Sequence, residues 1–489
     1  MKRYLPLIFA LCLVKLAVHL AGNPHYDFMR DELLHLSAGY HPAWGYFEFP
    51  PFIGWVAKVS LSLFGHSLAG MRFFATLAGL VILVVCCLMA VELGGKKWAV
   101  FLAGVCALAF LPYYRNHFLF QPVAFDQFFW ALGFYFVLKY VNTERNEYLV
   151  YTAIAAGLGL MNKYTFVIWI AGILIALLFH EKARVYRNKW LYIAGGIVLL
   201  IFLPNIIWQY QHGIPFLLHL QQLSKTQLEK NSVFEFALNQ VLSPLTLIVS
   251  LGGLYFLLRR PRWRFLGIAF ITMFILMWAL QSKAYYFYAA YPPLFAAGGV
   301  WLEKLFSKRP WWSLVPATLM LGFAAYWMPY LIPVLPVEKF IVYSNEKPDA
   351  EGRYHFTSDY ADMFGWRDQV RVADSIYRSL PPEDQQRCIF WAENYGEAGA
   401  IRIIGNREPV CRHGSFWTWG PGPLPGEVAI SIGNEADVVD RLYEEHQLIR
   451  VLKHPYAIDE ENNIPVYLCR KPKVKLEEIW PSLEKRVFE

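Results

Sequence analysis

The sequence predicts an α-helical polytopic membrane protein carrying a soluble α/β domain at its C-terminal end. Three observations carry this expectation. The 489 residues are 56% hydrophobic and only 17% charged, whereas an ordinary soluble domain is nearer a quarter charged. Apolar runs long enough to approach a bilayer's thickness recur up to Pro336 and then stop. Beyond Pro336, helical and strand periodicities alternate, as in a small α/β domain. The chain is therefore divided into a membrane domain, 1–336, and a soluble domain, 337–489.

Eleven apolar stretches are candidate spans: 4–21, 70–92, 97–112, 127–141, 148–162, 165–179, 190–208, 236–258, 265–280, 285–303 and 312–335. The first has Lys15 inside it and lacks a clean small-residue cleavage pattern, so it is read as a retained helix rather than a signal peptide. Residues 51–64 are apolar but too short to span, and read as an interfacial helix. Lys2, Arg3, Lys96, Lys97, Arg145, Arg184, Arg187, Arg259, Arg260, Lys304 and their neighbours fall in loops of one face. Basic residues there outnumber those of the other face about two to one. The positive-inside rule then puts the N-terminus in the cytoplasm and, with eleven spans, the soluble domain outside it. The net charge of +7 sits mostly in those short loops, so it is not read as a nucleic-acid signal.

In the soluble domain, 361–380 reads as an amphipathic helix, Cys388–Ala392, Val428–Ile432 and 464–469 as strands, and 435–452 as a helix. The seven cysteines show no CxxC or Cys/His spacing for zinc. A disulfide between two of Cys388, Cys411 and Cys469 is expected if that domain is outside the cytoplasm, the pair being undecided.

Charges beside membrane spans are costly and concentrate at functional sites. Asp31 and Glu32 follow the first span. Glu48 comes next, then Arg115 and Asp126, then Lys163, and finally Lys283 with Tyr285 and Tyr286. All are predicted at one membrane face. A carboxylate there can act as general base toward a hydroxyl or amine. Lysines, an arginine and tyrosine hydroxyls can hold a phosphate leaving group. Residue types alone leave a second reading open: Asp31, Glu32 and Asp126 as helix-start acids, the lysines as snorkelling anchors, the tyrosines as an aromatic belt. His35 and His117 read as packing residues, and a metal site is not favoured.

At these residues a family resemblance appears. Arg30-Asp-Glu-Leu and Trp44-Gly-Tyr-Phe-Glu-Phe-Pro-Pro51 resemble the first outer loop of bacterial glycosyltransferase family 39, in the GT-C class with protein O-mannosyltransferases and the aminoarabinose transferase of lipid A. Gly157-Leu-Gly-Leu-Met-Asn-Lys-Tyr164, Leu203-Pro-Asn-Ile-Ile-Trp-Gln209 and Lys283-Ala-Tyr-Tyr286 follow in order. Tyr360-Ala-Asp-Met-Phe-Gly-Trp366 and Asn394-Tyr-Gly-Glu-Ala-Gly-Ala400 are similar to the domain attached to such members.

The resemblance implies a GT-C-like transferase of the bacterial inner membrane. It would use a polyprenyl-phosphate sugar, invert the anomeric centre, need no cofactor, and act on an extracytoplasmic lipid, polysaccharide or protein. It implies Asp31 as catalytic base with Glu32 beside it, Asp126 as a sugar contact, and Lys163 and Lys283 as donor-phosphate contacts. Two departures stand out. Glu48-Phe-Pro-Pro51 replaces the common Asp-His-Pro-Pro or Asp-Gln-Pro-Pro, and Ala124-Phe-Asp126 replaces Thr-Pro-Asp. The alternative class, a lipid or solute transporter, predicts paired halves and mid-membrane polar groups; neither is evident.

Overall fold

The computed structural model describes residues 2–225 and 233–484. Helix α1 (Leu5–Gly22) leads into a loop that holds two short helices, α2 (Arg30–Ser37) and α3 (Phe52–Phe64). A bundle follows: α4 (Leu68–Glu92), α5 (Lys97–Ala109), α6 (Pro112–Phe118), α7 (Pro122–Thr143), α8 (Glu147–Asn162), α9 (Phe166–Leu178) and α10 (Lys189–Gln211). After α11 (Pro215–Leu223) and α12 (Val233–Leu238) come α13 (Pro244–Leu258), α14 (Arg264–Ala279), α15 (Pro292–Leu305) and α16 (Leu314–Trp327).

Every one of the eleven apolar stretches contains helix, and by length and composition alone fewer than eleven qualify as spans. Among the described residues three helices, α1, α4 and α10, are long and apolar enough to cross a membrane. The number rises to five if α5 with α6, bent by 70°, and α12 with α13, bent by 101°, each count as one span. The breaks have local causes. Pro112 and Pro244 begin new helices, since proline suits a first turn and not an interior. The bundle is a multi-pass membrane domain. Its outward faces are apolar, as on α10, where Leu199 and Leu200 are exposed.

Close backbone approach tightens the bundle at small residues. A Cβ on Gly298 would sit 2.4 Å from the Val249 carbonyl oxygen, and one on Gly299 2.5 Å from that of Ala99. Helix α15 therefore packs against both α13 and α5 through glycine, the usual device where lipid supplies no hydrophobic drive.

After the bundle lie α17 (Val337–Ser344), α18 (Ser358–Ala361), α19 (Trp366–Ser379) and α20 (Pro382–Gln386). Then come β1 (Cys388–Ala392), α21 (Tyr395–Ile403), β2 (Pro409–Cys411), α22 (Gly414–Thr418), β3 (Val428–Ile432), α23 (Ala436–Leu442), β4 (Tyr443–Leu452) and β5 (Ile464–Pro472). The strands form one sheet in the order β2-β1-β3-β5-β4. β1 runs parallel to β2 and β3, with Cys388 opposite Val428 and Ala392 opposite Ile432. β5 is antiparallel to β3 and β4. The central strands β1 and β3 are wholly buried, as continuous apolar runs covered on both faces should be.

Two expectations are corrected. Residues 435–452 are not one helix: α23 ends at Leu442 and β4 begins at Tyr443. β4 is an exposed edge strand, polar in its first half and apolar but exposed in its second, so it lacks the alternating burial that marks a strand, and only pairing with β5 reveals it. The expected disulfide is also absent, since Cys388, Cys411 and Cys469 are all free and buried.

The sheet region is fastened to the bundle. A Cβ on Gly399 would meet Leu33 at 2.6 Å, and one on Gly396 would meet Arg30 at 2.6 Å, so α21 lies directly on α2. Arg30 bonds Asp362 at 3.0 Å and Glu460 at 2.8 Å, Arg115 pairs with Asp359 at 2.7 Å, and Arg367 pairs with Asp27 at 2.6 Å. The glycines of Asn394-Tyr-Gly-Glu-Ala-Gly-Ala400 thus bring this region's residues beside Asp31.

Candidate active site

Successive helical residues point about 100° apart, so α2 cannot aim Asp31 and Glu32 at the same place. Glu32 turns inward. Its oxygens accept from Arg72 Nε at 2.9 Å and Nη2 at 2.6 Å, from the Phe120 amide at 2.8 Å and from the Met29 amide at 3.0 Å. Both Glu32 and Arg72 side chains are fully buried. Glu32, expected beside the catalytic Asp31, anchors α2 to α4 and to the chain before α7, and is not among the residues lining the cavity that Asp31 faces.

Asp31 does line one. A cavity of about 530 Å³ opens at this end of the bundle. Asp31, Glu48, Lys163, Lys283, Tyr285 and Tyr286 form its charged and polar wall, with apolar residues such as Phe49, Val167 and Leu220 between them. Six of the nine residues singled out in the sequence thus meet around one space. The other three do not reach its wall. Asp126 is buried on α7, close enough to Lys163 for electrostatic attraction. Arg115 gives Nε and Nη2 to Asp359 and Nη1 to Gln121 at 3.0 Å, so its fork is committed away from any phosphate.

Two neighbours of Asp31 carried no sequence signal of their role. Gln121 Nε2 donates to Asp31 Oδ2 at 3.0 Å, and the Tyr395 hydroxyl donates to Oδ1 at 3.1 Å. Gln121 precedes Pro122 and reads as a helix lead-in. Tyr395 is the first residue of α21, just after β1, and only the docking of α21 brings it here. Each carboxylate oxygen keeps one further lone pair for an incoming proton. Tyr395→Phe is expected to lower kcat roughly tenfold, the worth of one hydrogen bond to a charged group, with donor KM unchanged. An unaltered kcat would show that the bond has no role.

Lys163 caps the C-terminus of α8 and stands in extended conformation where the chain breaks before α9. Its Nζ lies 3.5 Å from the Tyr286 ring centroid and 5.3 Å from that of Tyr285, a cation–π seat that orients it without a carboxylate clamp. Lys283 precedes the turn carrying both tyrosines. Burial lowers its proton affinity, Asp31 opposes that, and Arg115 adds to it. Among the described residues no group of three His, Cys, Asp or Glu side chains is arranged to hold a metal ion.

Glu48, the first-loop acid, accepts from the Ser415 amide at 2.8 Å and from its hydroxyl. Burial raises its pKa to about 7, against the lowering effect of those bonds. The folded chain thus holds this proton more tightly than the unfolded chain does. Glu48 should therefore lower stability as pH rises from about 4.5 toward about 7, and add nothing further above. Subtracting the Tm–pH curve of Glu48→Gln from that of wild type should isolate this slope. Parallel curves would contradict it.

Comparisons with known proteins bear on the fold. Residues 48–208 match the family model described as dolichyl-phosphate-mannose-protein mannosyltransferase. ArnT from Cupriavidus metallidurans bound to undecaprenyl phosphate is similar in fold, with TM-score 0.64 and 17% identity, covering 96% of this chain and 98% of that one. Its apo structure gives TM-score 0.60 and 16% identity, with 99% of each chain covered. An uncharacterized protein of Aquifex aeolicus (strain VF5) is 27% identical over 239 residues, 48% of this chain. The match spans 44% of that relative's length. The chain is GT-C-like in fold, similar to ArnT.

Proposed function

We propose that this chain transfers a sugar from a polyprenyl phosphate to an acceptor outside the cytoplasm. The observation that carries the proposal is one cavity whose wall holds two carboxylates, Asp31 and Glu48, with two lysines, Lys163 and Lys283, and two tyrosines. Support comes from the shared fold, since the ArnT structure holds undecaprenyl phosphate. The clustering of Arg3, Lys96, Lys97 and Lys304 at the other end of the bundle supports a cytoplasmic N-terminus and an outward-facing cavity.

The step is one displacement. The acceptor hydroxyl or amine gives its proton to Asp31 and its lone pair to the anomeric carbon. The bond from that carbon to the phosphate oxygen breaks, and the electron pair leaves with the phosphate. Attack from the face opposite the leaving group inverts the centre. Charge grows on the phosphate as the sugar becomes oxocarbenium-like, and Lys163 and Lys283 stabilise it in a site largely walled by apolar side chains. Arg115 acts through Gln121, holding the amide that orients Asp31. Glu48, on the same wall, is the candidate contact for the sugar or the acceptor. The step uses no metal ion or cofactor.

The lysines can be tested by binding alone. Lys163→Ala and Lys283→Ala should each weaken undecaprenyl phosphate binding about tenfold, the loss of one charge-assisted contact. Asp31→Asn should leave binding within about twofold. Titration of the purified full chain by native mass spectrometry reads both. Unchanged affinity in both lysine variants would remove the phosphate site from this cavity.

A further inference from the structure

A second cavity, of about 670 Å³, lies at the end of the bundle away from Asp31. Helix α4 starts beside Glu32, which binds its Arg72, and finishes at Glu92, next to the second cavity. That path is about 20 residues, or roughly 30 Å at 1.5 Å per residue. The cavity is framed by the turn before α1, the α4–α5 connection and the end of α15. Arg3, Lys96, Lys97 and Lys304 line it.

Its one acid, Glu303, is already engaged. Oε2 accepts from the Lys96 amide at 2.8 Å, and Oε1 from the Trp98 and Ala99 amides at 3.0 Å each. Glu303 caps α5 and forms no ion pair, among the described residues, with any of the four cations. Three other basic residues at this end are paired. Lys139 pairs with Glu92 at 3.0 Å, Arg145 with Glu147 at 2.8 Å, and Arg184 with Glu144 at 3.3 Å. Four cations gathered around one concave space, with a single carboxylate among them that caps α5, set this site apart.

The surroundings say what kind of anion fits. Leu7 lines the cavity, and Ala10 and Val14, three and seven residues on along the same face of α1, are exposed, giving an apolar track that runs from the cavity along the bundle. Trp311 and Trp312, next to the lining residue Pro310, are also exposed, as aromatic residues are at the level of lipid headgroups. A phosphate in the cavity would have acyl chains along α1. We infer that this cavity binds the phosphate headgroup of an anionic phospholipid of the leaflet opposite the catalytic cavity.

The test uses the purified full chain in detergent, titrated by native mass spectrometry with phosphatidylglycerol, phosphatidylcholine and inorganic phosphate. Phosphatidylglycerol should bind more tightly than phosphatidylcholine, and inorganic phosphate should not displace it. Lys97→Gln with Lys304→Gln should weaken phosphatidylglycerol roughly 30-fold. Arg145→Gln with Arg184→Gln removes the same charge outside the cavity and should change it less than about twofold. Arg3→Gln, on the turn before α1, is expected to cost roughly fivefold and guards against a folding effect in the paired variant. Equal losses in both pairs would reduce the effect to bulk charge. Equal affinity for the two lipids would remove the headgroup site, and displacement by inorganic phosphate would assign the cavity to a soluble anion.

Discussion

Asp31→Asn is expected to lower transfer by about a thousandfold, within the range that a positioned general base contributes. The amide keeps the shape of the carboxylate and one oxygen for the Gln121 or Tyr395 bond, but cannot take a proton from the acceptor. The other polar groups of the wall cannot substitute. Glu48 is held by Ser415, and Lys163 and Lys283 are needed as cations at the phosphate. The variant should therefore fold, bind undecaprenyl phosphate and fail in the chemical step. Full activity in a correctly inserted Asp31→Asn protein would end the assignment of Asp31 as base.

Arg72→Met is expected to give the largest loss of stability, about 3–5 kcal/mol, because it leaves the Glu32 carboxylate buried without its counter-charge. Both side chains are completely inaccessible, and Arg72 supplies two of the four donors to Glu32. The guanidinium also bonds the Asp27 carbonyl at 3.0 Å, so its removal loosens the entry to α2 as well. Adding Glu32→Gln to Arg72→Met should restore part of the loss, since an amide costs less to bury than a lone carboxylate. Thermal unfolding of wild type and the two variants in one detergent measures this. A Tm for Arg72→Met equal to that of wild type would show that the pair contributes nothing.

These two predictions separate neighbours that the sequence could not. Asp31 and Glu32 are equally acidic and adjacent, and the first loop offers no pattern that says which faces inward. The answer depends on Arg72, 40 residues away, and on the Phe120 amide, 88 residues away. Arg115 fails as a phosphate contact for a similar reason. Its partner Asp359 lies 244 residues along the chain. What was legible came from short-range constraints. Apolar runs gave the helices, and the Lys163 and Lys283 positions followed from charges placed at breaks between them. The β1 and β3 strands showed as continuous apolar runs, while β4, at an exposed edge, did not. Tyr395 was beyond reach because its role arises only when Gly396 and Gly399 let α21 settle on α2.

The proposed function comes down to one claim, transfer of a sugar from a polyprenyl phosphate with Asp31 as base. Its most direct test is mass spectrometry of envelope lipids, glycans and glycoproteins from cells lacking the protein, cells expressing it and cells expressing Asp31→Asn at matched levels. The predicted result is a species heavier by one sugar residue in cells with the wild-type protein, absent from the other two. The same species at equal abundance in the Asp31→Asn cells, or no sugar-bearing difference between any of the three, would contradict it.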